Sequence, residues 1–247
     1  MKKIIYEELN LIENALENID TLKRSSVKAA LLYQVLQEHS SAIPLSAMVV
    51  FVYTILESGS KLEEQETINF LENLIRICYT YDLSQDIKYK VFDINARIMN
   101  KRSLPLSTVN ISDDFFEERR RYRNGLVMLY HYLVEDNWET AEIDSLLKVE
   151  RIVRQNDSLA HSDWPDKTLD QDIENMANFS IIDFPKSYKS LHERSLLYNS
   201  STLDSVSSIL KGKTYYSYTD FNERKNNMQT TLSKFLIQSE GEKDNNI

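Results

Sequence analysis

The chain has 247 residues, enough for one large domain or two small ones with a substantial core. A net charge of −9 and a pI near 5.1 argue against general affinity for nucleic acid, which needs clustered cations. A single cysteine excludes an internal disulfide and any multi-cysteine metal site. Four glycines and four prolines leave no Gly-rich phosphate loop and too few turns for a β-sandwich.

The first predicted helix, 3–23, places Ile5, Leu9, Ile12, Leu16 and Ile19 at alternating steps of four and three. Such a short heptad seam suits packing on the body of the protein or on a second chain, so a homodimer through this helix is one expectation. Lys2 and Lys3 resemble the start of a signal segment, but Glu7, Glu8 and Glu13 interrupt any apolar run behind them. A second helix, 26–39, carries Leu31, Leu32, Val35 and Leu36, and Pro44 opens a third that ends near Glu57. The apolar run Ile43–Leu56 is about 14 residues, short of the roughly 20 that span a bilayer, and reads as a buried core helix. Ser58, Gly59 and Ser60 make a turn, and Ser60 with Glu63 has the spacing of a capping box. The next helix runs to about Tyr79 through Ile68, Leu71, Leu74, Ile75 and Cys78, which makes Cys78 a buried, inert thiol. Ser84 is placed to cap a helix striped by Ile87, Val91, Ile94 and Ile98, and 101–110 is a polar connector containing Pro105.

Residues 112–138 read as a central helix. Phe115, Tyr122, Leu126, Leu129 and Leu133 recur at helical spacing, and Phe116, Val127, Tyr130 and Val134 widen the stripe until it needs packing from both sides. Ser112, Asp113 and Asp114 are its cap candidates. The helix also carries Arg119, Arg120, Arg121 and Arg123, which at about 100° per residue cannot share one face. They suit a solvated face pairing with Glu117 and Glu118, or an anchor for an acidic or phosphorylated segment.

A further helix is predicted over 140–159 from Ile143, Leu146, Leu147, Val149, Ile152 and Val153. At its C-terminal end Arg154 and His161 stand seven residues apart, two helical turns, so both would project from one face. This pair resembles the arginine and histidine motif of HEPN-domain ribonucleases, which are also small helical bundles. The resemblance covers these two positions alone, with Gln155 where the family commonly has Asn or Asp. It implies metal-independent RNA cleavage at a dimer interface, with His161 as acid or base and Arg154 steadying the phosphate. From residues alone, Arg154 pairs with Glu150 or Asp157, and His161 is a helix C-terminal imidazole.

Residues 162–167, with Trp164 and Pro165, read as a loop. A short helix at 169–178 and an apolar patch, Phe179–Phe184, follow; the patch has an extended pattern but no evident strand partner. Helices are predicted at 186–198 and 202–210, the latter ended by Gly212, and a last one capped by Asp220 and Glu223 runs to about Gln238.

These features predict an all-α fold, an irregular multi-helix bundle or a short α-solenoid of about ten helices. The expected organisation is a main domain over 1–160, a smaller helical region over 161–238 and a disordered tail from 239 to 247. No motif calls for a cofactor or a metal. The function expected is a non-catalytic adaptor or subunit of a multiprotein complex, holding a partner segment in inter-helix grooves, with no membrane partner. Its expected location is cytoplasmic, or nuclear in a eukaryote. Nucleic acid enters only under the ribonuclease alternative.

Overall fold

The computed structural model describes residues 2–39, 42–80, 87–100, 102, 111, 114–138, 148–155, 157, 163–166, 168–182, 190–213 and 215–237. Eleven α-helices and one pair of short strands are found among them, so the fold is all-α in class. The chain divides into two compact units, residues 1–110 with 236–247, and residues 111–235. This division falls at 110/111; the expected division at 160/161 runs instead between two segments that pair within the second unit.

The first unit is built from α1 (Lys2–Ser25), α2 (Val27–His39), α3 (Ala42–Glu57), α4 (Glu64–Thr80) and α5 (Ile87–Met99). Each packs mainly on the helix two places along, α1 on α3, α3 on α5 and α2 on α4, as in a helical stack. Leu31, Leu32, Val35 and Leu36 of α2 and Leu71, Leu74 and Ile75 of α4 are buried, and Tyr79 donates its hydroxyl to the Val35 carbonyl at 2.8 Å. The predicted seam of α1 is only partly inside. Ala15 and Ile19 are buried, whereas Ile12 and Leu16 remain 40% and 42% exposed, because the buried face lies to one side of the heptad row. Ser60 and Glu63 form no capping box, since α4 begins at Glu64 and Ser60 accepts from the Ser58 hydroxyl. Ser84 lies outside the described residues.

In the second unit the expected central helix is present but interrupted. Phe115–Glu118 forms α6, Arg120–Tyr122 is a tighter 3-10 turn, and Arg123–Val134 forms α7. Arg119 breaks the run: its guanidinium donates to the Phe115 carbonyl at 3.3 Å, the acceptor that an unbroken helix reserves for the Arg119 amide. Gly125 to His131 are buried, and α7 packs against strands on one side and a later short helix on another, as a broad apolar stripe requires. Ser112 and Asp113 lie outside the described residues, and Asp114 makes no side-chain cap.

The helix expected over 140–159 is not formed where the structure describes it. Lys148–Arg151 is a strand, β1, antiparallel to β2 (Phe179–Ile182), with Arg151 opposite Phe179. Residues 139–147 lie outside the described set. The apolar patch at 179 therefore has the partner that its local sequence did not reveal. Asn178 extends the pairing: its carbonyl takes the Ile152 amide at 2.8 Å, and its side chain bonds both the amide and the carbonyl of Val153 at 2.9 and 2.8 Å. Between the strands lie α8 (Leu169–Ile173) and a 3-10 turn, Met176–Asn178. Trp164, expected in a loop, is buried; its indole donates to the Tyr216 carbonyl at 3.2 Å and its ring lies 4.8 Å from Phe221.

After β2 come α9 (Leu191–Asn199), α10 (Asp204–Ser207) and α11 (Tyr218–Ile237). Ser190 and Glu193 close a capping box on α9. The cap of α11 is Ser217 with Asp220 rather than Asp220 with Glu223, each accepting the other's backbone amide. The tail from 239 lies outside the described residues.

Candidate functional site

The four arginines of the interrupted helix divide their work. Arg119 stacks 3.6 Å over the Phe115 ring and pairs with Glu118 at 3.5 Å, and Arg121 lies 4.6 Å over Tyr122. Glu117 does not join them; it accepts from Asn175 at 2.8 Å. Arg120 and Arg123 turn instead to Glu174, just past α8, at 3.8 and 2.8 Å. Arg151, brought alongside by β1, bonds the other oxygen of the same carboxylate. Arg123 also donates to the Glu174 carbonyl at 3.0 Å and lies 3.8 Å over the Phe179 ring; Arg151 lies 5.5 Å from that ring. Three guanidiniums thus surround the Glu174 carboxylate, and with Glu117 lining the same small pocket the cations still outnumber the acids. Burial pushes the Glu174 carboxyl up, but the Arg123 hydrogen bond and the charges of Arg151, Arg123 and Arg120 outweigh it and hold the group ionised below its usual range. Arg151 and Glu174 were invisible as site residues because strand pairing, not local spacing, brings them together.

Arg154 is not on a helix. The chain turns directly after β1, so the shared helical face expected for Arg154 and His161 does not exist at Arg154. Its side chain pairs with Glu150 at 3.6 Å, while Asp157 accepts its backbone amide at 2.9 Å and binds the buried Arg194 at 2.5 Å. His161 lies outside the described residues.

A serine–histidine contact inside the second unit has the look of a nucleophile but not the chemistry. His131 Nδ1 lies 2.9 Å from Ser205 Oγ, and its Nε2 lies 3.1 Å from both Arg224 and Ser180 Oγ. A guanidinium only donates, so Nε2 must accept and the ring proton sits on Nδ1, where it is given to Ser205. An imidazole so arranged cannot take the Ser205 proton. His131 is wholly buried, and burial together with the Arg224 charge holds it neutral, well below the ordinary histidine range. The cluster ties α7, β2, α10 and α11 together.

Two features of the first unit have the geometry of recognition sites. Phe51, Thr54 and Ile55 of α3, Glu66 and Phe70 of α4, and Ile98 and Arg102 line a cavity of about 440 Å³, with Phe51 and Phe70 stacked at 4.0 Å. On α5, Ile94 and Ile98 are buried as expected, and a second apolar row is left exposed. Tyr89, Phe92 and Met99 are 76%, 73% and 60% exposed. Spaced by three and seven, and bridged by Ala96, they lie along one side of the helix. The three-four-three spacing was present in the sequence, hidden by the cleaner stripe beside it.

Comparison with protein-family models, with curated proteins and with solved structures finds no match for the chain. Among the described residues no group of three His, Cys, Asp or Glu side chains is placed to hold a metal ion, and no helix is long and apolar enough to cross a membrane.

Proposed function

We propose that the protein is a non-catalytic helical adaptor and that α5 receives an amphipathic helix from a partner protein. The observation that carries this reading is the bare row of Tyr89, Phe92 and Met99 on a helix whose other face is already packed. Large apolar side chains gathered in one exposed row mark an interaction surface, whereas scattered ones mean little. Their spacing is the one by which helices seat on each other, and in a stack where each helix packs two places along, an incoming helix on α5 continues the row of α1, α3 and α5. Within Ile87–Met99 the charges are Lys88, Lys90 and Arg97 against Asp93 alone, which favours an acidic partner helix over a second copy of α5.

The test is selection of helical binders from a displayed library of acidic amphipathic peptides against the full chain, followed by Phe92→Glu. Because Phe92 is exposed, the variant keeps its stability within about 0.5 kcal/mol. It weakens the selected peptides by about 30-fold or more if Phe92 is a central anchor. Peptides that bind equally well to the variant, or self-association abolished by it, refute the partner helix.

The cavity beside Phe51 and Phe70 supports a second reading, a small apolar ligand held by the first unit, since its volume falls in the range of small-molecule sites. Under that reading Ile55→Trp, which fills the cavity, removes the thermal stabilisation given by apolar fragments and leaves helix binding at α5 intact.

A further inference from the structure

We propose that Arg120, Arg123 and Arg151 form a clasp for a phosphate monoester, carried by a phosphorylated side chain of a partner protein, and that Glu174 occupies it in the unliganded state. The inference does not depend on what α5 binds. Its basis is a mismatch of charge and a match of geometry. Three guanidiniums, two from the interrupted helix and one from β1, aim at one carboxylate, with Oε1 taken by Arg151 and Oε2 shared by Arg123 and Arg120. A carboxylate presents two oxygens and one negative charge, whereas a phosphate monoester presents three oxygens and close to two charges at neutral pH. A monoester in place of the Glu174 carboxylate offers one oxygen to each guanidinium, and with Glu117 lining the same pocket it brings the three cations close to neutrality; planar guanidiniums are the donors best suited to it.

The setting is pre-organised. Arg123 is fixed by the Glu174 carbonyl and by the Phe179 ring, and Arg151 is fixed by its strand register opposite Phe179. Arg120 and Arg151 nevertheless keep 48% and 41% of their side chains open to solvent, so an incoming group can reach them. Glu174 stands just past the end of α8 and is 30% exposed, which lets its side chain swing out while the backbone carbonyl keeps Arg123 in place. A single doubly charged group suits this compact surplus. A nucleic-acid backbone would need a longer track of cations and would meet a chain of net charge −9.

If Glu174 is the resident occupant, removing its charge must strengthen anion binding, the reverse of what a merely structural ion pair predicts. Thermal melts with inorganic phosphate, and anisotropy titrations with a labelled phosphoserine peptide and its unphosphorylated twin, read this directly on the full chain. Glu174→Gln binds phosphate and the phosphopeptide about tenfold more tightly than the parent protein. Its melting temperature rises with phosphate concentration more steeply than the parent's. Arg120→Ala and Arg151→Gln each weaken binding in the Glu174→Gln background while circular dichroism shows the fold retained. The unphosphorylated peptide binds neither protein. The proposal is overturned if Glu174→Gln gains no phosphate-dependent stabilisation, or if the arginine substitutions leave binding unchanged. It is equally overturned if single-stranded RNA lacking a terminal phosphate binds at these arginines and the phosphopeptide does not.

Discussion

Position 78 shows how far burial alone decides chemistry. Cys78 is 1% exposed, among Leu74, Ile75 and Ile77, and loss of solvent pushes its thiol up to about 12. The thiolate is the reactive form, so the native protein at pH 8 should resist a thiol-specific reagent. Labelling should appear only with unfolding, at a rate that follows the unfolded fraction through a urea titration. Rapid, stoichiometric labelling of the folded chain would show that α4 opens locally. The burial of Cys78 was legible in the sequence, because an apolar helical run around a lone cysteine leaves little else for it to do. Glu174 is the opposite case. Nothing adjacent to it announces three arginine partners, two of them about fifty residues upstream and one on a strand.

At the scale of elements, the helix ends were the part of the first unit that spacing located best. The turn after α3 illustrates why. Gly59 has φ of 75°, its amide bonds the Leu56 carbonyl at 3.0 Å, and the Ser60 amide bonds the Ile55 carbonyl at 3.2 Å. This is a Schellman cap, which places its glycine in the left-handed region. A Cβ at Gly59 would meet nothing within 4 Å, so Gly59→Ala should cost about 1 kcal/mol through backbone conformation alone. Gly59→Asn, whose side chain tolerates that region, should cost less. Equal urea midpoints for the parent and the alanine variant would remove the cap from the account. Short apolar runs behaved differently. Val149, Ile152 and Val153 fit a helical stripe by spacing, yet β-branched residues fit a strand as readily, and a run this short cannot separate the two. What selected the strand was Phe179–Ile182 and the bonds of Asn178, about thirty residues downstream. The interruption at Arg119 was hidden for a related reason, since a side chain competing for its own helix's carbonyl leaves the apolar periodicity intact.

For the whole molecule, composition was enough to place the chain among all-helical folds, because scarce glycine and proline cannot build a turn-rich sheet protein. The charge balance goes further and sets how the fold should respond to acid. His131 is held neutral in the folded state, packed against Arg224 of α11 with Ser205 and Ser180 on its two nitrogens and Glu135 bonding the Ser205 amide. An unfolded histidine takes up a proton near pH 6.5, whereas the buried one does not. As pH falls below about 6.5 the unfolded state therefore binds more protons, and stability drops by up to roughly 1.4 kcal/mol per pH unit until the native imidazole itself titrates. Glu174 and Asp220 act lower on the scale. Burial raises Asp220, but the bonds from Lys213 and Ser217 outweigh it, and both carboxyls sit below their ordinary range in the fold. Their contribution is complete above the unfolded carboxyl range and is lost only as pH falls below about 4.5. Urea midpoints measured from pH 7.5 to 3.5 should accordingly decline in two stages, the first beginning near pH 6.5. In His131→Gln, less stable at neutral pH, the first stage should vanish while the second persists. A parent curve that stays flat between pH 7 and 5.5 would mean that the imidazole takes up its proton inside the fold and that Nε2 does not accept from Arg224; a variant that keeps the upper decline would assign that decline to another group.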